Sequence, residues 1–503
     1  MILRITGDLK PYYAQTLCMI FFPGAKFPEN EASSPDVPEA YFDVSYEDSH
    51  AHAHARVSVS FGGKTETRSG DCTAEGEIDG AKARQIAAGI AFYEAASALT
   101  GYRPPWGILT GVRPAKIASE LLRGGYSSDA AAKRITEKYL TAPHKAKLAV
   151  AVSEAEDRLI RAELHRTCSV YIGIPFCPSR CSYCSFVSYT SPKLLALIPE
   201  YLTALRTNIH TVFDTIRQLG RTVSTVYIGG GTPTVLNEDQ LRYLLDAVCA
   251  ETDVSRLEEF TLEAGRPDTI TKEKLEIAQR HGVSRISVNT QTLNDEVLAA
   301  IGRHHTAQQF LQAYDMAKEA GIPHINVDLI AGLSGESTES FSSSVDRIIG
   351  LSPDNITVHT FSVKKAAEIR QDNPLVYDPQ GEAAARSVDY AQQALVEAGY
   401  APYYMYRQKN TVGNLENVGY ARPGTEGLYN IYMMEEVHSI FAAGASAVTK
   451  FVSPMEPDGN CRIERIFEAK YPYEYLKAYT GQSGEEKASE YTRSALDFYR
   501  TYF

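Results

Sequence analysis

The chain has 503 residues, 44% of them apolar and 22% charged. That is the composition of an ordinary globular protein of about three domains, and it excludes a disordered or collagen-like chain. The net charge of −12 excludes a protein that is basic overall, as nonspecific nucleic-acid binders are, but not a local basic pocket.

The first residues, 1–17, lack the charged-then-apolar layout of a signal peptide, and the apolar patch 16–23 is too short to span a bilayer. The expectation is a soluble, cytoplasmic protein with no nucleic-acid partner and no membrane span. Eight cysteines are present: Cys18, Cys72, Cys168, Cys177, Cys181, Cys184, Cys249 and Cys461. In a chain of this length they make no disulfide framework and suit a reducing compartment.

Residues 1–100 read as an α+β domain. Residues 52–61 alternate strictly, with His52, His54, Arg56, Ser58 and Ser60 on one face and Ala53, Ala55, Val57, Val59 and Phe61 on the other. This is a half-buried strand, closed by the turn Gly62-Gly63 and followed by a helix at 80–99. His50, His52 and His54 read as a solvated strand face rather than a metal site. Residues 101–165 read as a helical connector carrying the basic loop Arg113-Pro114-Ala115-Lys116.

From residue 166 short β-branched runs alternate with amphipathic stretches. The strands are expected at 169–174, 225–228, 259–262, 285–289, 325–330 and 356–361, and the helices at 195–219, 238–251, 271–281, 306–320 and 336–350. This alternation implies a parallel sheet covered by helices, and its even spacing fits a partial (β/α)6 TIM-like barrel over 166–370. Such a barrel carries its chemistry at the C-terminal strand ends. Residues 371–503 are expected to form a mainly helical C-terminal domain covering the substrate, with a helical run near 431–442 and a helical tail.

The loop after the first barrel strand reads PFCPSRCSYCSF, placing Cys177, Cys181 and Cys184 in a C-x3-C-x2-C spacing. Three thiolates at this spacing suit three irons of a cubane cluster, leaving the fourth iron open to a small molecule. Incidental cysteines, or zinc with a distant fourth ligand, are the alternatives; the paired C-x2-C arms of a zinc ribbon are missing. Further polar residues stand at successive strand ends: Gly229-Gly230-Gly231-Thr232-Pro233, then Glu263-Ala264-Gly265-Arg266-Pro267-Asp268, then Ser287-Val288-Asn289-Thr290-Gln291, Arg303, and Asp328. A glycine run allows close backbone approach to a ligand.

Together these motifs resemble the radical S-adenosylmethionine (SAM) superfamily. The resemblance implies a [4Fe-4S] cluster on Cys177, Cys181 and Cys184, and SAM bound by Tyr171, Tyr183, Gly230, Gly231, Thr232, Glu263, Gln291, Arg303 and Asp328, the last on the ribose. It also implies that cleavage of SAM yields a 5′-deoxyadenosyl radical that takes hydrogen from the substrate. Three departures from the family pattern stand out: Gly265-Arg266 stands where relatives usually have one Asn, Asn289 where they usually have Gly, and Ser334 where they often have Pro.

Beyond the barrel, Tyr403-Tyr404-Met405-Tyr406-Arg407, the run from Asn414, and Phe441-Ala442-Ala443-Gly444 resemble the oxygen-independent coproporphyrinogen III oxidase family. With Gly111-Val112-Arg113-Pro114-Ala115-Lys116, the likeness is greatest to its coproporphyrinogen dehydrogenase branch of HemZ type. That resemblance implies anaerobic haem and porphyrin biosynthesis: oxidative decarboxylation of two propionates of coproporphyrinogen III to vinyl groups, giving protoporphyrinogen IX. It also implies a reducing partner such as flavodoxin or ferredoxin. The tetrapyrrole carboxylates call for cations, and Arg113, Lys116, Arg407, Lys409 and Lys450 are candidates. Phe186 stands where the best-known decarboxylating branch has a further cysteine. Phenylalanine there also resembles a haem-chaperone branch, and another branch opens the haem ring. No catalytic residue is assigned.

Overall fold

A computed structural model gives the fold of residues 1–28, 32–111, 113–362, 381–408, 411–455, 461–480 and 482–503. Near the N-terminus, β1 (Ile2–Gly7), β2 (Glu39–Glu47), β3 (His52–Phe61) and β4 (Lys64–Thr73) form a sheet in that order. Helix α2 (Gly80–Thr100) packs on β3 and β4, and α1 (Pro11–Phe21) packs on α2. The alternation of β3 places Ala53, Ala55, Val57 and Val59 fully inside. Phe61, expected with them, is 42% exposed, because the strand ends there at the Gly62-Gly63 turn. Across the strand pair, His52 and His54 both bond Asp71, at 3.1 and 2.8 Å. Helix α2 starts where Asp79 accepts the Lys82 N–H at 2.7 Å and stops at Gly101, in the left-handed region at φ 74°.

Three helices follow: α3 (Pro114–Arg123), α4 (Ser128–Tyr139) and α5 (Pro143–Leu159). The segment Arg113–Lys116 is thus not a loop: Pro114, whose fixed φ suits a first helical position, opens α3.

The main sheet contains β5 (Thr167–Ile174), β6 (Thr222–Gly230), β7 (Glu259–Ala264), β8 (Arg285–Val288), β9 (His324–Ala331) and β10 (Asn355–Thr360), all parallel and in chain order. All six fall where the β-branched runs place them. Between them lie α6 (Pro192–Leu195), α7 (Ile198–Gln218), α8 (Glu238–Cys249), α9 (Lys272–Arg280), α10 (Asp295–Ala300), α11 (Ala307–Glu319) and α12 (Thr338–Leu351). Among the described residues β5 and β10 do not pair with each other, so the barrel is partial.

The C-terminal region contributes α13 (Glu382–Glu397), α14 (Leu428–Glu435), α15 (Pro472–Ala478) and α16 (Gln482–Tyr502). It also adds five strands to the main sheet: β11 (Ala401–Arg407) and β12 (Glu416–Ala421) beside β10, and β13 (Ser439–Ala443), β14 (Val448–Val452) and β15 (Ile463–Phe467) beside β5. The helical run expected at 431–442 is therefore divided. Glu436 turns the chain at φ 54°, and the following residues become β13, parallel to β5. No helix among the described residues is long and apolar enough to cross a membrane.

Candidate functional site

The C-terminal ends of the parallel strands gather the residues expected to act. Strand β5 runs into Pro175-Phe176-Cys177. Phe176 is fully buried and meets the Tyr201 ring edge-on at 5.1 Å, which anchors the loop base in the core. The Cys177 N–H donates to the Tyr189 carbonyl at 3.2 Å, and the Ser182 N–H to Ile301 at 3.0 Å. The Gly231 and Thr232 N–H groups donate to Ile174 and Phe176, each at 2.8 Å, so the end of β6 is stitched to the cysteine loop. A Cβ at Gly231 would lie 2.4 Å from the Phe176 carbonyl oxygen, so this approach requires glycine.

Cys177, Cys181 and Cys184 are all free thiols. Burial, then the neighbouring Cys184, pushes the Cys177 thiol up to about 12, and burial also raises Cys184. Proton loss from such thiols needs a cation in exchange. Among the described residues no three or more His, Cys, Asp or Glu side chains form a set for a single metal ion. A cubane makes a different demand, one thiolate for each of three separate irons. Thr232 Oγ1 is buried with no hydrogen-bond partner among the described residues, which leaves a polar atom for a ligand at the end of β6. Free thiols on one anchored loop, a glycine approach and this orphaned hydroxyl fit a cluster with a polar small molecule beside it.

The remaining strand ends are interlocked. Glu263 accepts from Tyr227 at 2.5 Å and from the Gly230 N–H at 3.3 Å. Burial lifts its carboxyl to about 7, with Asp328 adding to the rise and the Tyr227 bond opposing it. For Asp328 burial acts upward too, but His359, Asn326 and Thr357 outweigh it and hold the group below its ordinary value. The His359 ring lies 3.7 Å from Asp328, and Asn326 donates to it at 2.8 Å. Gln291 has φ 78°, an uncommon conformation for a residue with a side chain. Its N–H bonds the Asp328 carbonyl at 3.0 Å.

Arg303 donates to the Gly265 carbonyl at 2.6 Å and to the Tyr183 hydroxyl at 2.8 Å, joining two expected cofactor contacts. Tyr171 stacks with Tyr227 and Tyr429, with ring centroids 6.1 and 6.4 Å apart; Tyr227 and Tyr429 lie 4.5 Å apart. Tyr404 stacks with Tyr406 at 6.4 Å, and the Tyr406 hydroxyl lies 3.5 Å from His359.

The candidate tetrapyrrole cations separate into different settings. Arg113 pairs with Glu436 at 2.8 Å, and Lys450 reaches the same carboxylate at 3.5 Å. Arg407 is buried, donating to the carbonyls of Leu109 at 2.6 Å and Asn414 at 3.1 Å. Lys116 is exposed, and Lys409 lies outside the described residues.

Two of the departures from the family pattern acquire a structural reason. The Asn289 side chain accepts the Asp328 N–H at 3.2 Å, tying the end of β8 to β9. Arg266, half of the Gly265-Arg266 pair that stands in place of one Asn, is buried and reaches Ser179 and Cys181 on the cysteine loop. An arginine directly after a strand-end glycine was the available signal, since a buried guanidinium demands partners.

A family model for the radical SAM superfamily matches residues 171–348. The oxygen-independent coproporphyrinogen-III oxidase-like protein HemZ of Bacillus subtilis is 38% identical over 392 residues, covering 74% of this chain and 78% of the relative. The heme chaperone HemW of the same organism is 31% identical over 316 residues, covering 61% and 77%. Among solved structures, the coproporphyrinogen III oxidase HemN from Escherichia coli, a radical SAM enzyme, aligns with TM-score 0.50 and 24% identity. That alignment covers 65% of this chain and 72% of HemN, and supports the fold alone. The chain belongs to the radical SAM superfamily, in its group related to oxygen-independent coproporphyrinogen III oxidase, and takes that superfamily's cofactors, a [4Fe-4S] cluster and SAM.

Proposed function

We propose that the protein catalyses radical oxidative decarboxylation of coproporphyrinogen III. In each of two propionates the β-carbon loses a hydrogen atom, the carboxylate leaves as CO2, one electron passes to an acceptor, and a vinyl group remains. The observation that carries this reading is the HemZ likeness, which extends over 392 residues and so well beyond the radical SAM segment 171–348.

In this reading Cys177, Cys181 and Cys184 each hold one iron. Gly230, Gly231 and Thr232 receive the amino-acid end of SAM, with the free Thr232 hydroxyl as a hydrogen-bonding group. Glu263 would face the amino-acid end of SAM and Asp328 its ribose hydroxyls, and Gln291 and Arg303 would hold the rest, with Tyr171 and Tyr183 beside them. When bound, cluster and SAM together supply one-electron cleavage and the 5′-deoxyadenosyl radical. The protein's own contribution is to orient SAM and substrate and to keep water from the radical, for which the stack of half-buried Tyr171 and Tyr227 on buried Tyr429 is suited. A reducing protein such as flavodoxin or ferredoxin supplies the electron.

A second reading, a haem chaperone, draws on Phe186. This residue is 68% exposed and stands in place of a further cysteine on the cluster loop. The two readings separate in one experiment. Anaerobically reconstituted protein with SAM, reductant and coproporphyrinogen III should release CO2 and give protoporphyrin after oxidation. Stoichiometric haem binding without that product would overturn the decarboxylase in favour of the chaperone.

A further inference from the structure

Arg266 follows β7 and is only 3% exposed. All three guanidinium nitrogens are engaged. Nε and Nη2 donate to the two carboxylate oxygens of Asp268, each at 3.1 Å. Nη2 also donates to Ser179 Oγ at 2.9 Å, and Nη1 to the Ser179 carbonyl at 3.1 Å. Nη1 lies 3.7 Å from Cys181 Sγ, within reach of an N–H···S bond. The planar fork is therefore held from two sides, and its orientation is fixed by Asp268 rather than by the sulfur.

We propose that Arg266 is a positioning residue that fixes the cysteine loop and raises the reduction potential of the cluster through its N–H on Cys181. This rests on the assignment of Cys177, Cys181 and Cys184 as the cluster ligands. Reduction adds one negative charge to a cluster already made anionic by three thiolates. A buried N–H donor carrying positive charge favours the more negative state, and hydrogen bonds to cluster sulfurs are among the factors that set such potentials. Asp268 works in the opposite sense: it holds the guanidinium in place but partly cancels its charge. Arg303 adds a second buried cation to this region, bonded to Tyr183 between the second and third cysteines. The inserted Gly265-Arg266 pair serves both contacts, since the Gly265 carbonyl accepts from Arg303 at 2.6 Å.

The test is a redox titration of anaerobically reconstituted holoprotein without SAM, followed by the electron paramagnetic resonance signal of the reduced cluster, with iron and sulfide assayed in parallel. In R266Q the cluster should become harder to reduce by about tenfold in equilibrium constant, which is about 59 mV more negative for a one-electron couple. R266K keeps the charge but loses the fork and should fall between. D268N uncovers the arginine charge and should shift the potential the other way. A purely structural role for Arg266 would not produce opposite signs in R266K and D268N, so these two variants decide the matter even if R266Q loses its cluster. Unchanged potentials at full iron content, or shifts of the same sign, would overturn the proposal while leaving the cluster assignment standing. Wild-type protein with no [4Fe-4S] signature would overturn both.

Discussion

Lys145 Nζ lies 2.6 Å from Glu416 Oε1, and neither side chain is exposed at all. The same lysine reaches Asp389 at 2.7 Å, and the other oxygen of Glu416 accepts from the buried Trp106 indole at 2.6 Å. Burial disfavours the ammonium, but Glu416 and Asp389 outweigh it and hold the lysine charged. The network joins α5 to β12 and α13. Replacing Lys145 with Met strands a buried carboxylate and should cost about 3–5 kcal/mol. The double variant K145M/E416Q should recover part of that loss. Denaturant midpoints measure both, and an unchanged midpoint for K145M would contradict the network's role.

Cys181→Ala removes one of three cluster thiols. Iron and sulfide content after reconstitution should fall sharply, and SAM cleavage under dithionite should stop. Undiminished cleavage by this variant would sink the ligand assignment.

Gly231→Ala meets backbone, not side chain: the Phe176 oxygen at 2.4 Å, its carbonyl carbon at 2.8 Å and its nitrogen at 2.9 Å. No rotamer change relieves this contact, so the cysteine loop must move. SAM binding by calorimetry on loaded protein should weaken at least about tenfold, the equivalent of about 1.4 kcal/mol. Gly350 near the end of α12 has nothing within 4 Å of its added methyl. Gly350→Ala should be neutral or stabilising by up to about 1 kcal/mol, since alanine is the better helix former.

The pH response of Glu263 follows from its raised carboxyl, about 7 against an ordinary 4.5. A group raised in the folded state contributes its stability while protonated, fully below the ordinary value, and loses it as pH rises through about 7. Glu263→Gln stays neutral throughout. The melting temperature of the variant should therefore gain on the wild type between about pH 5 and pH 8. A constant difference across that window would show that Glu263 does not titrate there.

Much of the barrel was legible because its signals are local and periodic. All six β-branched runs became parallel strands, and the cysteine loop sits at the C-terminal end of the first. The C-terminal strands were harder to see. Strand β13 exists because it pairs with β5, a partner far away in sequence, and the turn before it is made by Glu436 with no Gly or Pro to mark it. Arg266 was hidden for a related reason: its partners Ser179 and Cys181 lie on another loop, so the residue read as a departure rather than a contact. Pairing also changed the reading of Arg113 and Lys450, whose shared partner Glu436 no local pattern reveals.

The pairing of β13 with β5 also bears on assembly. Ser439 to Ala443 lies alongside Cys168 to Ile172, the strand that leads directly into the cluster loop. Until residues 439–443 have been synthesised, the strand that pairs with this edge of β5 does not yet exist. A nascent chain or truncated product ending earlier would present an unpaired, β-branched edge beside reactive thiols, inviting both aggregation and oxidation. Cluster loading is thus best timed after β13 has paired with β5.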